Sequence, residues 1–311
     1  MAKFRSNHRK TGNAKSTITK IISLVILLIA GGSMLLQKYY DFADNKSNSQ
    51  ETNETRQRDY NKYPYAAEVQ IRDYLPTESS LQVIHHRYYS LAYSEKHEQA
   101  KWVAYELSRD QLNQPKVPRA KRFETDYDVH GRSAYHRDYS GSGYTRGHLA
   151  PAADMAFNQT AMEESFLMSN MSPQERPFNN GIWRELEEQT RDWARKFKHL
   201  YIVVGPVFNE IRTKIGKETK VSVPEKFYKV ILDLSEPEIK GIGFIIPNKS
   251  SEKHLHDYAL SIDEVEEITG INFFASLLDD QQESNIESDA DPKLWKVNKN
   301  RFEQRVTKWN N

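Results

Sequence analysis

Residues 141–155 read GSGYTRGHLAPAADM, and this stretch decides how the rest of the chain is to be read. Two glycines loosen the approach. Arg146 and His148 then stand two apart, so in an extended strand they share one face. A guanidinium that grips phosphate and an imidazole that takes a proton from water would have to face one spot. The bland alternative is a polar turn before a helix, with His148 structural and Arg146 a surface ion pair. The choice between them lies outside the stretch.

Two further segments bear on it. Residues 166–174, FLMSNMSPQ, form a short apolar run that ends in Ser169-Asn170 and is followed by Pro173. Residues 178–197, FNNGIWRELEEQTRDWARKF, place Ile182, Leu186, Trp193 and Phe197 at helical spacing. A strand holding His148, a second strand ending near Asn170 and a helix offering Asn179 make a β-β-α unit. Phosphodiester hydrolysis asks for such a set. Histidine is the usual base near neutral pH. Charge developing on phosphate is met by arginine and a divalent cation. Magnesium takes few protein oxygens and keeps several waters, so an amide oxygen with a carboxylate nearby suffices. On a straight helix Asn179 and Glu187 lie roughly 12 Å apart along the axis and roughly 80° apart around it. Asn179 is then expected to touch the ion and Glu187 to act through a water. Taken singly, Asn179 would be a helix-terminal residue, with Asn180 competing for the metal role. Glu187 would be a solvated position like Glu185 and Glu188, and Asn170 a turn residue.

Arg-Gly-His-Leu-Ala, Ser-Asn-x-x-Pro-Gln and Asn-x-Gly-x-Trp-x-x-Leu-Glu occur here in that order. Together they resemble the signatures of the DNA/RNA non-specific endonucleases, the endonuclease G-like ββα-metal nucleases, over about residues 80–280. The resemblance implies His148 as general base, Asn179 as the protein ligand to Mg2+ (with Mn2+ as a substitute ion) and Glu187 as the carboxylate holding the ion's water shell. It implies Arg146 beside the base, Asn170 as an active-site asparagine, DNA and RNA as substrates, and 5′-phosphate ends. A further family arginine precedes the histidine motif; Arg119, Lys121 and Arg122 stand equal for it. Thr145 departs from the family, which has Asp before Arg-Gly-His.

The chain of 311 residues has 28% charged and 38% hydrophobic residues, a globular balance, and a formal net charge of only +1. Residues 1–20 carry six basic residues and no acid, so the remainder is about −5 and any basic site must be local. The run of Lys116, Arg119, Lys121, Arg122, Arg132, Arg137 and Arg146 is diluted by Glu124, Asp126, Asp128 and Asp138, and reads as a weak phosphate-tracking patch. Residues 21–37 hold no charge, the length of a short spanning helix or a signal-peptide core. With the basic flank they read as an N-terminal transmembrane anchor that puts the domain outside the cytoplasm; a cleaved signal for secretion and a mitochondrial presequence are the alternatives. Cysteine is absent, so there are no disulfides and no thiolate metal site. His85, His86, His130 and His136 lack zinc spacing.

Residues 38–62 read as a polar linker, 63–282 as the nuclease domain and 283–311 as a C-terminal tail. Runs at 83–93 and 101–107 make a hairpin, and strands follow at 199–208, 226–234 and 239–247. A capping box at Ser261 and Glu264 opens a helix that ends at Gly270. The expectation is an α+β fold with a central mixed or antiparallel sheet flanked by helices. A homodimer is compatible with it, and no protein partner follows from the sequence. The competing function is a nuclease-like, catalytically weak module that grips polyanions at the membrane.

Overall fold

The run HLYIVVGPV is apolar at nearly every position, and it forms a central strand whose two faces are both covered. The computed structural model describes residues 72–309 apart from 78, 79, 132 and 210. The basic flank, the 21–37 segment, the linker and Arg132 therefore lie outside the described residues. No helix among those described is long and apolar enough to cross a membrane.

In chain order the strands are β1 Gln82–His85, β2 Ser90–Ser94, β3 Gln99–Ser108, β4 Thr145–His148, β5 Met171–Gln174, β6 His199–Val207, β7 Thr213–Ile215, β8 Val221–Val223, β9 Lys226–Asp233, β10 Lys240–Pro247 and β11 Ala259–Leu260. The helices are α1 Arg109–Asn113, α2 Gln159–Glu164, α3 Arg176–Phe178, α4 Arg184–Phe197, α5 Ile262–Thr269, α6 Asp280–Glu287 and α7 Lys299–Gln304. Seven strands form one sheet in the order β1-β2-β3-β6-β9-β10-β11. Every pairing in it is antiparallel, so the mixed alternative falls. The run at 83–93 is not one strand but two, β1 and β2, which pair with each other through a turn at 86–89. Buried His86 makes that turn: its Nε2 lies 3.0 Å from Asp126 Oδ2.

Period-two alternation sends side chains to two cores. Leu200, Ile202 and Val204 of β6 join Phe227 and Ile231 of β9 against Trp183, Leu186, Trp193 and Ala194 of the long helical segment. Val203, Tyr228, Val230 and Leu232 face the other way, against Ile262 and Val265 of α5 and Phe273. The capping box at Ser261 is present, with Ser261 Oγ accepting from Glu264 N at 3.1 Å, and Gly270 closes α5 at φ +64.

The segment past residue 282 packs onto the first of these cores. Trp295 has no exposed surface and its ring sits 5.1 Å from that of Trp193. Arg305, also fully buried, pairs with Glu185. Glu185, expected on a solvated face, is therefore a buried partner in a salt bridge. A buried pair of this kind is costly to break from one side, because the survivor is left charged and unpaired.

Candidate active site

The ββα unit is present, with two corrections to its detail. β4 and β5 pair antiparallel with His148 opposite Met171 and Thr145 opposite Gln174. The second strand begins after Asn170 rather than ending there; Met168–Asn170 is a single 3-10 turn leading into it. The helix from 178 to 197 is not straight either. Residues Asn179–Trp183 form a π-turn between α3 and α4, with Gly181 at φ −98, ψ −112. π-Bulges of this sort accompany functional sites. The separation of Asn179 and Glu187 calculated for an ideal rod does not hold across this turn.

His148 sits half-buried between two phenylalanines, 5.9 Å from the Phe123 ring and edge-on to Phe166 at 4.9 Å. Its Nε2 is buried and takes no hydrogen bond. Burial, with the Arg119 charge nearby, lowers its pKa to about 3, so the imidazole is neutral at any ordinary pH. Arg119 also stacks over Phe166 at 4.9 Å. All three basic residues that stood equal are exposed, and Arg119 is the one whose charge reaches His148. Arg146 lies over Phe123 and Tyr139, at 5.4 and 5.6 Å, and donates to the His136 carbonyl at 2.7 Å. Its Nε is buried and unpartnered.

Gly147, between them, has no room for a side chain. A Cβ there would lie 2.0 Å from Gln174 Cδ and Oε1. Gln174 is fully buried, and neither end of its amide finds a partner. Such groups call for a water or a ligand.

Asn179 donates through Nδ2 to Thr145 Oγ1 at 2.8 Å, and Thr145 Oγ1 donates to the Gln174 carbonyl at 2.9 Å. The threonine hydroxyl has one hydrogen, spent on Gln174, so toward Asn179 it accepts. That settles which end of the amide is which and leaves Oδ1 as the atom available to a cation. Asn180, the competitor for the metal role, is exposed. Thr145, which departs from the motif of the resemblance, thus orients Asn179, to which that resemblance assigns the metal.

Asn170 is fully buried and its amide is spent on backbone. Oδ1 accepts from Ala150 N at 2.9 Å, while Nδ2 donates to Ala150 O at 3.0 Å and Ser165 O at 2.8 Å. It pins the chain directly after His148. Asn170→Ala orphans three buried backbone groups, each worth about 1–3 kcal/mol. Unfolding in urea is expected to show about 2–4 kcal/mol lost, with turnover reduced as His148 shifts. Parental stability in that variant would refute this role.

Glu187 is half-buried in a group of charges that the sequence reading passed over. Burial pushes its carboxyl up to about 7, and the Lys229 and Arg191 charges partly offset this. Arg191 holds Asp154 at 2.7 Å, and Asp154 accepts from Tyr105 Oη at 2.9 Å. Lys229 is fully buried, its Nζ unpaired and 5.4 Å from the Trp183 ring centre. The signals for these residues were readable. Arg191 follows Glu187 by four, one helical turn. Lys229 alternates with Phe227 and Ile231 and so must share their face, beneath the long helical segment.

An amide oxygen left open beside a hydroxyl and a half-buried carboxyl that ionises near neutral pH are oxygen donors of the kind a hard divalent cation takes. The residues present fit such an ion.

Comparison with known proteins bears on the family and the fold. Residues 69–280 match the family model of the DNA/RNA non-specific endonucleases. The chain is 33% identical over 202 residues to the mitochondrial nuclease EXOG of Danio rerio, covering 60% of this chain and 59% of that protein. It is 36% identical over 222 residues to nuclease C1 of Cunninghamella echinulata var. echinulata, covering 66% and 84%. A solved EndoG, from the crystal structure of its complex with EndoGI, superposes with TM-score 0.61 at 27% identity, covering 66% of this chain and 90% of that one. The chain thus spans less than two thirds of the length of the EXOG relative. With the family model covering most of its residues, the chain belongs to the DNA/RNA non-specific endonuclease family.

Proposed function

We propose that the domain hydrolyses phosphodiester bonds of DNA and RNA without sequence selectivity and with the help of a divalent cation, Mg2+ or, in substitution, Mn2+. The observation that carries the reading is His148 Nε2: a neutral imidazole nitrogen, buried, with no partner, two residues along β4 from Arg146. In the Nδ1–H tautomer this nitrogen is an open acceptor, and a neutral imidazole is the form that takes a proton. In the reaction His148 removes the proton of the attacking water. Arg146, with Arg119 beside the base, attracts the phosphate oxygens. Asn179 Oδ1 would hold the cation and Glu187 its water shell, and the ion when bound would neutralise charge building on phosphate and leaving group. Asn170 and Gly147 keep His148 in place. Contacts to phosphate carry no base information, so little sequence preference follows.

The names of the animal relatives place those proteins in mitochondria. In our reading the basic N-terminal flank likewise carries this domain out of the cytosol, and the relatives favour the mitochondrion as its destination over a membrane anchor.

The test is conversion of a supercoiled plasmid to nicked and linear forms, in parallel with cleavage of a structureless RNA. Both are expected with Mg2+ and neither with EDTA. Cleavage that is indifferent to EDTA, or retarded migration of nucleic acid without cleavage, would favour the polyanion-gripping module instead.

A further inference from the structure

Far along the chain from β4, where α5 and α6 meet, four carboxylates gather. Asp263 and Glu266 are three apart on α5, and Glu283 and Glu287 four apart on α6, so each pair shares a helix face. One oxygen from each of Asp263, Glu266 and Glu287 lies within 4.8 Å of the others. Asp263 is exposed, Glu266 partly buried, and Glu287 only 1% exposed. Glu287 Oε1 is buried in this group with no hydrogen-bond partner.

Two ordinary accounts of such a cluster fail here. A solvated acidic face would leave its members in water, but Glu287 is not. A set of carboxyls each held by a neighbouring donor would leave no buried oxygen unpaired, yet Glu287 Oε1 has no partner. Glu266 Oε1 instead accepts from Phe273 N at 2.6 Å. The charges that bear on Glu287 are those of Glu266, Glu283 and Asp263, every one acidic. Burial and this repulsion push Glu287 up to about 8 and Glu266 to about 6. A carboxyl buried among like charges keeps its proton or takes a cation, and among the described residues no lysine or arginine supplies that cation.

We propose that Asp263, Glu266 and Glu287 bind a calcium ion. The donors are oxygens alone, which selects a hard cation over zinc or copper. Calcium accepts irregular sets of carboxylates and water at about 2.3–2.6 Å, whereas magnesium demands a near-ideal octahedron at about 2.0–2.1 Å. Exposed Asp263 leaves one side for waters. Glu287 lies beyond residue 280, where the family match ends, so the ion ties α6 of the C-terminal segment to α5 of the nuclease domain. The proposal is independent of the catalytic reading.

Thermal unfolding of the full chain tests it, in EDTA, in Mg2+ and in Ca2+. At a hundredfold excess over the dissociation constant, Ca2+ is expected to raise the Tm by about 5–10 °C for a domain of this size. Glu287→Gln should abolish that response and raise the Tm in EDTA, since it removes repulsion. Asp263→Asn, at an exposed position, should weaken the response, and Asn179→Ala should keep it. No Ca2+ response in the parental chain, or one that survives in Glu287→Gln and Asp263→Asn but disappears in Asn179→Ala, would overturn the proposal; the second result would move the ion to the catalytic centre.

Discussion

His148→Ala is expected to lower nicking turnover at least ~10²-fold, the low end for loss of a general base, with the fold retained. The imidazole makes a tilted contact with Phe123 and an edge contact with Phe166 and no hydrogen bond through Nε2, so its removal leaves the β4–β5 ladder intact. The pH profile sharpens this. Because burial holds His148 down at about 3, its base-competent neutral form prevails at every pH above that value. The acid limb of kcat/KM is therefore not the titration of His148. Glu187, pushed up to about 7, loses its charge as pH falls through that region, and the rate should fall with it. Glu187→Gln should remove the limb. A cation beside the carboxylate favours its charged form, so raising Mg2+ should move the limb to lower pH in the parental enzyme. Near-parental turnover in His148→Ala at saturating Mg2+, or an acid limb that persists in Glu187→Gln, would refute these assignments.

How far the sequence carried this picture depends on the range of the interactions. Central strands were legible because a strand buried on both faces is apolar at most positions, as β6, β9 and β10 are. The α5 cap was legible because Ser261 and Glu264 bond within one turn. Arg146, His148, Asn170 and Asn179 were singled out as a set by the order of their motifs. What the sequence hid lies in contacts between distant segments. Asn170 looked like a group facing substrate, and its amide is instead consumed by Ala150 and Ser165. Glu185 looked solvated, but Arg305, 120 residues on, buries it. The bend at Gly181 could not be read from a period of 3.6, since a π-turn adds a residue without interrupting the apolar pattern.

That bend bears on the second large effect. Asn179→Ala removes the amide oxygen that Thr145 orients, and should raise the Mg2+ requirement while leaving turnover more than about 100-fold down at saturation. Partners that act on a metal site through another group typically cost about 10–100-fold, and a direct ligand should exceed them. Thr145→Val keeps the shape of Thr145 but deletes the acceptor for Asn179 Nδ2. It frees the amide to turn, and should fall in the 10–100-fold range of about one to two decades in Mg2+ affinity. Thr145→Asp, which restores the residue usual in the family, supplies an acceptor again and should stay near the parental enzyme. Glu187→Gln keeps a group able to hydrogen-bond water and should retain a measurable rate. Nicking rate against Mg2+, with Mn2+ binding followed directly by calorimetry, separates these cases. If Glu187→Gln loses the ion while Asn179→Ala and Thr145→Val bind it as the parental enzyme does, then the carboxylate holds the ion. In that case the Thr145–Asn179 hydrogen bond serves only to fasten the π-turn to β4.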